Sequence, residues 1–76
     1  MSGERLVDAR GLRCPWPVLR LSRAARELGG PGRILILADD PIAPVEIAAL
    51  CEEKGWRLRS DPDRPNAYQI AIDTEA

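Results

Sequence analysis

Apolar positions along this chain fall into short aliphatic blocks and longer amphipathic ones, separated by glycine, proline and aspartate. The run "RILILA", Arg33 to Ala38, is continuously aliphatic, bounded by turn residues and too short for an isolated helix, so it predicts a buried strand. "WRLRS" alternates, with Trp56 and Leu58 to one side and Arg57 and Arg59 to the other, which predicts a strand with one wet face. "AYQIAID" alternates again and places Tyr68, Ile70 and Ile72 together. The turn cluster "DPDRPN" between these two strands makes them a hairpin. A first strand is expected over Glu4–Ala9, "ERLVDA", which is short and β-compatible. Val18, Leu21, Ala25 and Leu28 recur at helical spacing and predict a helix from about Pro15 to Leu28, closed by Gly29-Gly30-Pro31-Gly32. A second helix is expected from about Ala43 to Lys54, after the turn at Asp39-Asp40-Pro41 and before Gly55.

The order is therefore β-α-β-α-β-β, with no repeat, linker or low-complexity segment, and the 76 residues form one domain spanning 1–76. Right-handed β-α-β crossovers lead to an α/β fold: a two-layer sandwich in which both helices pack on one face of a four-stranded mixed sheet. A domain this small buries only about 60% of the surface its unfolded chain exposes, so its core is modest.

Composition narrows the chemistry. A hydrophobic fraction of 45% beside 30% charged residues is that of an ordinary globular domain. No apolar run reaches the length of a membrane span, and "MSGERLVDAR" lacks the apolar segment of a signal peptide, so a cytoplasmic location is expected. With no histidine, the chain forms neither a Cys-His catalytic pair nor a zinc site of the usual Cys/His kind. Two cysteines, Cys14 and Cys51, do not make a disulfide framework, and neither belongs to a C-x-x-C pair. Any thiol chemistry must be done by one sulfur without an imidazole base. The net charge of −1 hides seven arginines against three acids in residues 1–33, and four bases against nine acids in residues 34–76. Such a split either orients the molecule against charged partners or solvates two faces.

Cys14 stands in "DARGLRCPWPVLRL", where Pro15 and Pro17 mark a helix start because proline is tolerated only in the first turn. The thiol thus lies in a strand-to-helix loop at the rim of the sheet, where open α/β sheets place their chemistry. A helix N-terminus together with Arg10 and Arg13 is expected to lower its pKa, with the amides of Trp16 and Val18 pointing at the sulfur. Cys51 falls beside Ile47 and Ala48 on the apolar side of the second helix and reads as a core residue. Cys14 lies in a glycine- and proline-bearing loop, which favours function over burial.

These residues carry a resemblance. "DARGLRCPWPVLRL", then "GGPGRILILADDP", an acidic residue five on from Pro41 and "EKGWRL" resemble the TusA (SirA-like) family of small sulfur-transfer proteins over nearly the whole chain. The core of the match is C-P-x-P, here Cys14-Pro15-Trp16-Pro17 after Gly11-Leu12. The resemblance implies the same two-layer fold and a sulfurtransferase acting as a stoichiometric carrier. In it Cys14 takes a sulfane sulfur as a persulfide and passes it on, without cofactor or metal. The implied partners are a donor, a cysteine desulfurase or rhodanese-like protein, and an accepting protein of tRNA thiolation, molybdenum-cofactor synthesis or sulfur oxidation. Members of the family frequently have Asp where Glu46 stands and His where Trp56 stands, which bears on the pathway more than on the chemistry.

Persulfide transfer is thiol exchange and needs no histidine, since its rate follows thiolate fraction and leaving-group pKa. Cys14 is accordingly assigned as carrier, Arg13 and Arg10 as electrostatic support, and Pro15 and Pro17 as a geometric brace. Trp16 is either a partner contact or a lid over the helix start. Arg20, Arg23 and Arg26 wind along the first helix as a docking stripe for an acidic partner or as a solvated face. A monomer is expected, with no direct contact to nucleic acid. The competing classes are a small RNA-binding module and a regulatory adaptor without sulfur chemistry. A pI near 5.3, no phenylalanine and one tyrosine argue against RNA.

Overall fold

The computed structural model describes residues 3–73. Along the chain run β1 (Gly3–Asp8), α1 (Trp16–Leu28), β2 (Gly32–Leu37), α2 (Ala43–Lys54), β3 (Arg57–Ser60) and β4 (Ala67–Ile72). The sheet order is β1-β2-β4-β3. β1 runs parallel to β2, while β4 is antiparallel to both β2 and β3. This is the mixed four-stranded sheet expected from the order of elements, right-handed crossovers and a terminal hairpin.

Both helices cover one face. Val7, Ile34, Ile36, Ile70 and Ile72 project from that face of the sheet and meet Leu21, Ala24 and Ala25 of α1 and Ile47 and Cys51 of α2 in a single core. Each fully buried isoleucine in it contributes about 1.5–3 kcal/mol of transfer free energy. Tyr68 and Leu58 pack against the same core, Leu58 between the exposed Arg57 and Arg59 as its alternation predicts. On α2 the buried positions are Ala43, Ile47 and Cys51, an i, i+4, i+8 line. Ala48 is exposed, which corrects its placement beside Cys51, because an apolar line this narrow leaves the flank of the helix in solvent.

Helix α1 begins one residue later than its apolar periodicity suggests. Pro15 is the N-cap, and its carbonyl accepts the first helical bond, from Leu19 N at 3.1 Å. Pro17 lies within the first turn and is fully buried, so it is a core residue as well as a helix starter. The helix closes at Gly29, whose φ of 74° lets its N–H return to Ala25 O at 3.2 Å. Gly32 belongs to β2 rather than to the turn. A Cβ there would stand 2.6 Å from both Gly3 O and Leu28 Cδ2, so the side chain of Leu28 covers the start of the β1–β2 pair only because this position has none.

Among the described residues, no helix covers the opposite face of the sheet. Leu6 is 65% exposed there, and an open depression of about 770 Å³ is lined by Arg33, Arg57, Arg59 and Arg64 among others. The division into a basic first half and an acidic second half does not survive folding. Three arginines of the acidic half share this face with Arg33.

Candidate functional site

Parallel pairing of β1 and β2 makes both strands end at the same rim of the sheet. The pairing runs one residue further, through Ala9 N to Leu37 O at 2.7 Å. The two strand-to-helix connections that follow therefore lie side by side, one leading to α1 and the other to α2. Two aspartates of the second connection hold the first. Asp39 Oδ1 accepts from Gly11 N at 2.9 Å, and Gly11 makes its turn at φ 80°. Asp40 Oδ2 accepts from Cys14 N at 2.7 Å, while its Oδ1 accepts from Ile42 N at 2.9 Å. Those two backbone bonds, with the nearby charge of Arg13, hold the Asp40 carboxyl below the usual carboxylate range. A shallow depression of about 360 Å³ remains between the loops, lined by Gly11, Leu12, Arg13, Asp39, Asp40 and Pro41.

Cys14 is exposed at this rim, and its thiol donates a hydrogen bond to Glu46 Oε1 from the first turn of α2. That bond pushes the thiol's pKa up, and desolvation and the negative charges of Glu46 and Asp40 act in the same direction. The expected lowering is thereby corrected. Arg10 is turned back on the end of β1, where its Nε and Nη2 donate to Asp8 at 2.9 and 2.8 Å and bring the Asp8 carboxyl to about 2. Arg13 acts on Asp40 instead of on the sulfur. The amide of Trp16 donates to Arg13 O at 2.8 Å, so it does not point at the sulfur. The charges that face the thiol are acidic.

The remaining predicted residues are placed as follows. Pro15 is exposed and joined to Cys14 by a cis peptide bond. Trp16, in the first turn of α1, is 58% exposed. Arg20, Arg23 and Arg26 are all exposed along α1, and Arg23 pairs with Glu27 at 3.2 Å. Cys51 is buried in the core, where desolvation pushes its thiol up.

Asp39, Asp40 and Glu46 are the residues that sequence reasoning did not assign to the site. A signal for the first two was present, because Asp-Asp-Pro before a helix is the side-chain chemistry that satisfies free amides at a turn. Nothing local pointed from Glu46 to Cys14, 32 residues earlier in the chain.

Fold and site together define a class: a small two-layer α/β domain that presents one thiol on an open rim rather than in an enclosed cleft. The model of a family described as sulfurtransferase TusA matches residues 5–74, and the chain belongs to this TusA sulfurtransferase family. A crystal structure of a SirA-like protein from Desulfitobacterium hafniense is similar, with a TM-score of 0.74 and 28% identity. The match covers 90% of this chain and 93% of that one. Membership carries a sulfur-transfer role.

Proposed function

We propose that Cys14 is the sulfur carrier, accepting a sulfane sulfur as a persulfide and handing it to a second protein. The observation that carries this reading is an exposed thiol whose proton already rests against a carboxylate, that of Glu46. In the loading step the proton of Cys14 passes to Glu46 and the thiolate attacks the outer sulfur of the donor's persulfide. A new bond forms from Cys14 Sγ to that sulfur, the donor's S–S bond breaks, and the donor leaves as a thiolate that takes up the proton. Cys14 is oxidised to the persulfide and the donor is reduced to its thiol, so no further oxidant enters. Unloading runs the same exchange in reverse onto an acceptor thiol, with Glu46 returning the proton to Cys14.

A raised pKa suits a carrier of this kind. The resting thiol stays protonated and inert towards adventitious electrophiles, and Glu46 supplies the base only when a partner's sulfur is in line. Arg13 and Arg10 support the chemistry indirectly, Arg13 through the charge it holds near Asp40 and Arg10 by pairing with Asp8 at the end of β1, and Pro15 and Pro17 hold the loop at the helix start. The donor is a cysteine desulfurase or rhodanese-like protein. The acceptor is a relay thiol of the kind serving tRNA thiolation, molybdenum-cofactor synthesis or sulfur oxidation. A reducing cytoplasm keeps the exposed Cys14 available as a thiol.

Intact mass after incubation with a charged desulfurase tests the reading. Wild type gains the mass of one sulfur atom, lost again under reductant, and Cys14→Ala gains none. Sulfur recovered on Cys51 would overturn the assignment.

A further inference from the structure

Among the described residues, four of the five large apolar side chains that the fold leaves most exposed lie at the start of the two helices: Trp16 (58%) and Leu19 (49%) on α1, Ile42 (54%) and Val45 (70%) beside and on α2. Within each pair the spacing is three residues, so the two side chains share one helix face. That face is opposite the buried line, because Pro17, Leu21 and Ala24 on α1 and Ala43, Ile47 and Cys51 on α2 point into the core. The bond from Cys14 to Glu46 joins the two helix starts, and Asp40 ties Cys14 N to Ile42 N. The result is an apolar collar on the outer surface of the helical layer, with the thiol between its halves. Further along α1 the same outer face turns to Arg23 and Arg26.

From this arrangement we infer that Trp16, Leu19, Ile42 and Val45 form the contact surface for the protein that exchanges sulfur with Cys14, through an apolar, uncharged lip around that partner's own sulfur. The inference rests on the carrier reading above and specifies its partner. The occupant follows from the chemistry. Sulfur passes by direct bonding between two sulfur atoms, so a protein donor must bring its surface down over Cys14 and cover whatever surrounds it. Beyond the acids that face the sulfur, the outer surface on either side of it presents these four apolar side chains, and burial of such side chains is the usual centre of a specific contact, with charged residues at its edge. The arginines of α1 stand at that edge.

The test compares two donors that load wild type, a protein persulfide (a desulfurase charged with cysteine) and glutathione persulfide, which needs no surface. Leu19→Gln and Val45→Gln are the variants. Both positions are exposed, glutamine is a good helix former and its neutrality leaves the field at the thiol unchanged. Far-UV circular dichroism and thermal melting verify the fold, with Val45→Ala as a milder second variant. The expected result is a fall of at least about tenfold in transfer from the protein donor, with transfer from glutathione persulfide within about twofold of wild type. Raising salt leaves the size of the defect unchanged, as burial of uncharged groups requires. Equal rates from the protein donor in wild type and variants would overturn the inference, as would an equal loss with both donors. A wild-type dimer in sedimentation that Val45→Gln dissociates would overturn it too, making the collar a contact between copies of this chain. In all three outcomes a persulfide on Cys14 would still stand, whereas sulfur on another residue would sink the carrier reading itself.

Discussion

Asp40 and Cys14 are joined through the backbone: the carboxylate of Asp40 accepts from Cys14 N at 2.7 Å while its other oxygen holds Ile42 N at 2.9 Å. One side chain thus fixes the loop that carries the thiol to the start of the helix that carries Glu46. Asp40→Ala frees both amides, and Asp40→Asn leaves one acceptor oxygen for two donors. Both variants are expected to lower the melting temperature, alanine more than asparagine, and to slow loading of Cys14 from a protein donor. A melting curve and loading rate like those of wild type would show that the bridge positions nothing.

Glu46→Gln removes the negative charge that the thiol faces. The alkylation midpoint of Cys14 is expected to lie above the ordinary thiol value of about 8.5 in wild type and to fall towards it in the variant. The rate of reaction with iodoacetamide against pH measures this, and neutral-pH alkylation is faster in the variant. The same shift has a stability consequence. A thiol whose folded pKa is raised contributes stability that is complete below its unfolded value and lost as pH rises through the folded one. Wild type therefore loses stability relative to Glu46→Gln in the alkaline range, and a Cys14→Ser background abolishes that difference. A wild-type midpoint at or below about 8.5 would remove the electrostatic account of the site.

At acid pH the sign reverses. Asp8, Asp40 and Asp61 are all held below the usual carboxylate value of 3.8, Asp8 at about 2 through Arg10. Their contributions are present above 3.8 and disappear as pH falls towards 2. Urea denaturation across that window should show a steep loss that is shallower in Asp8→Asn. Added salt weakens the Asp8 share, since both partners are exposed. An identical slope in Asp8→Asn would mean the ion pair contributes nothing to folding.

Gly32→Ala is expected to destabilise by about 1–3 kcal/mol, because the new Cβ would meet a carbonyl oxygen of the neighbouring strand that cannot move aside. Gly30→Ala is the control. A Cβ at Gly30 has nothing within 4 Å, so that change is close to neutral or slightly stabilising. Chemical denaturation of the two side by side decides, and equal stabilities would contradict the close approach of β1, β2 and Leu28.

Reversing Arg20 and Arg26 to Glu should leave folding within about 0.5 kcal/mol of wild type, since both are exposed on α1. Transfer from a protein donor should slow at low salt, through association, and recover its wild-type rate at high salt. That pattern separates long-range steering by the stripe from contact at the apolar collar, whose loss salt does not mend. Unchanged transfer at low salt would reduce the arginines to a solvated face.

The order of elements, the helix stops at Gly29 and Gly55, the buried aliphatic strand and the core position of Cys51 were all legible in the sequence. Each depends on periodicity or turn chemistry within a few residues, which the chain carries whatever its neighbours are. The exposed rim position of Cys14 was legible for the same reason, from two prolines at a helix start. The field at its sulfur was not. Arg10 and Arg13 are close in sequence, yet the guanidinium of Arg10 is closed on Asp8 and that of Arg13 serves Asp40. Gly11, Cys14 N and the Cys14 thiol instead meet Asp39, Asp40 and Glu46, which lie 28, 26 and 32 residues further along the chain. Parallel pairing of β1 with β2 brings those acids to the rim, and electrostatic interaction depends on separation in space, so only the folded chain could decide which charges the thiol faces.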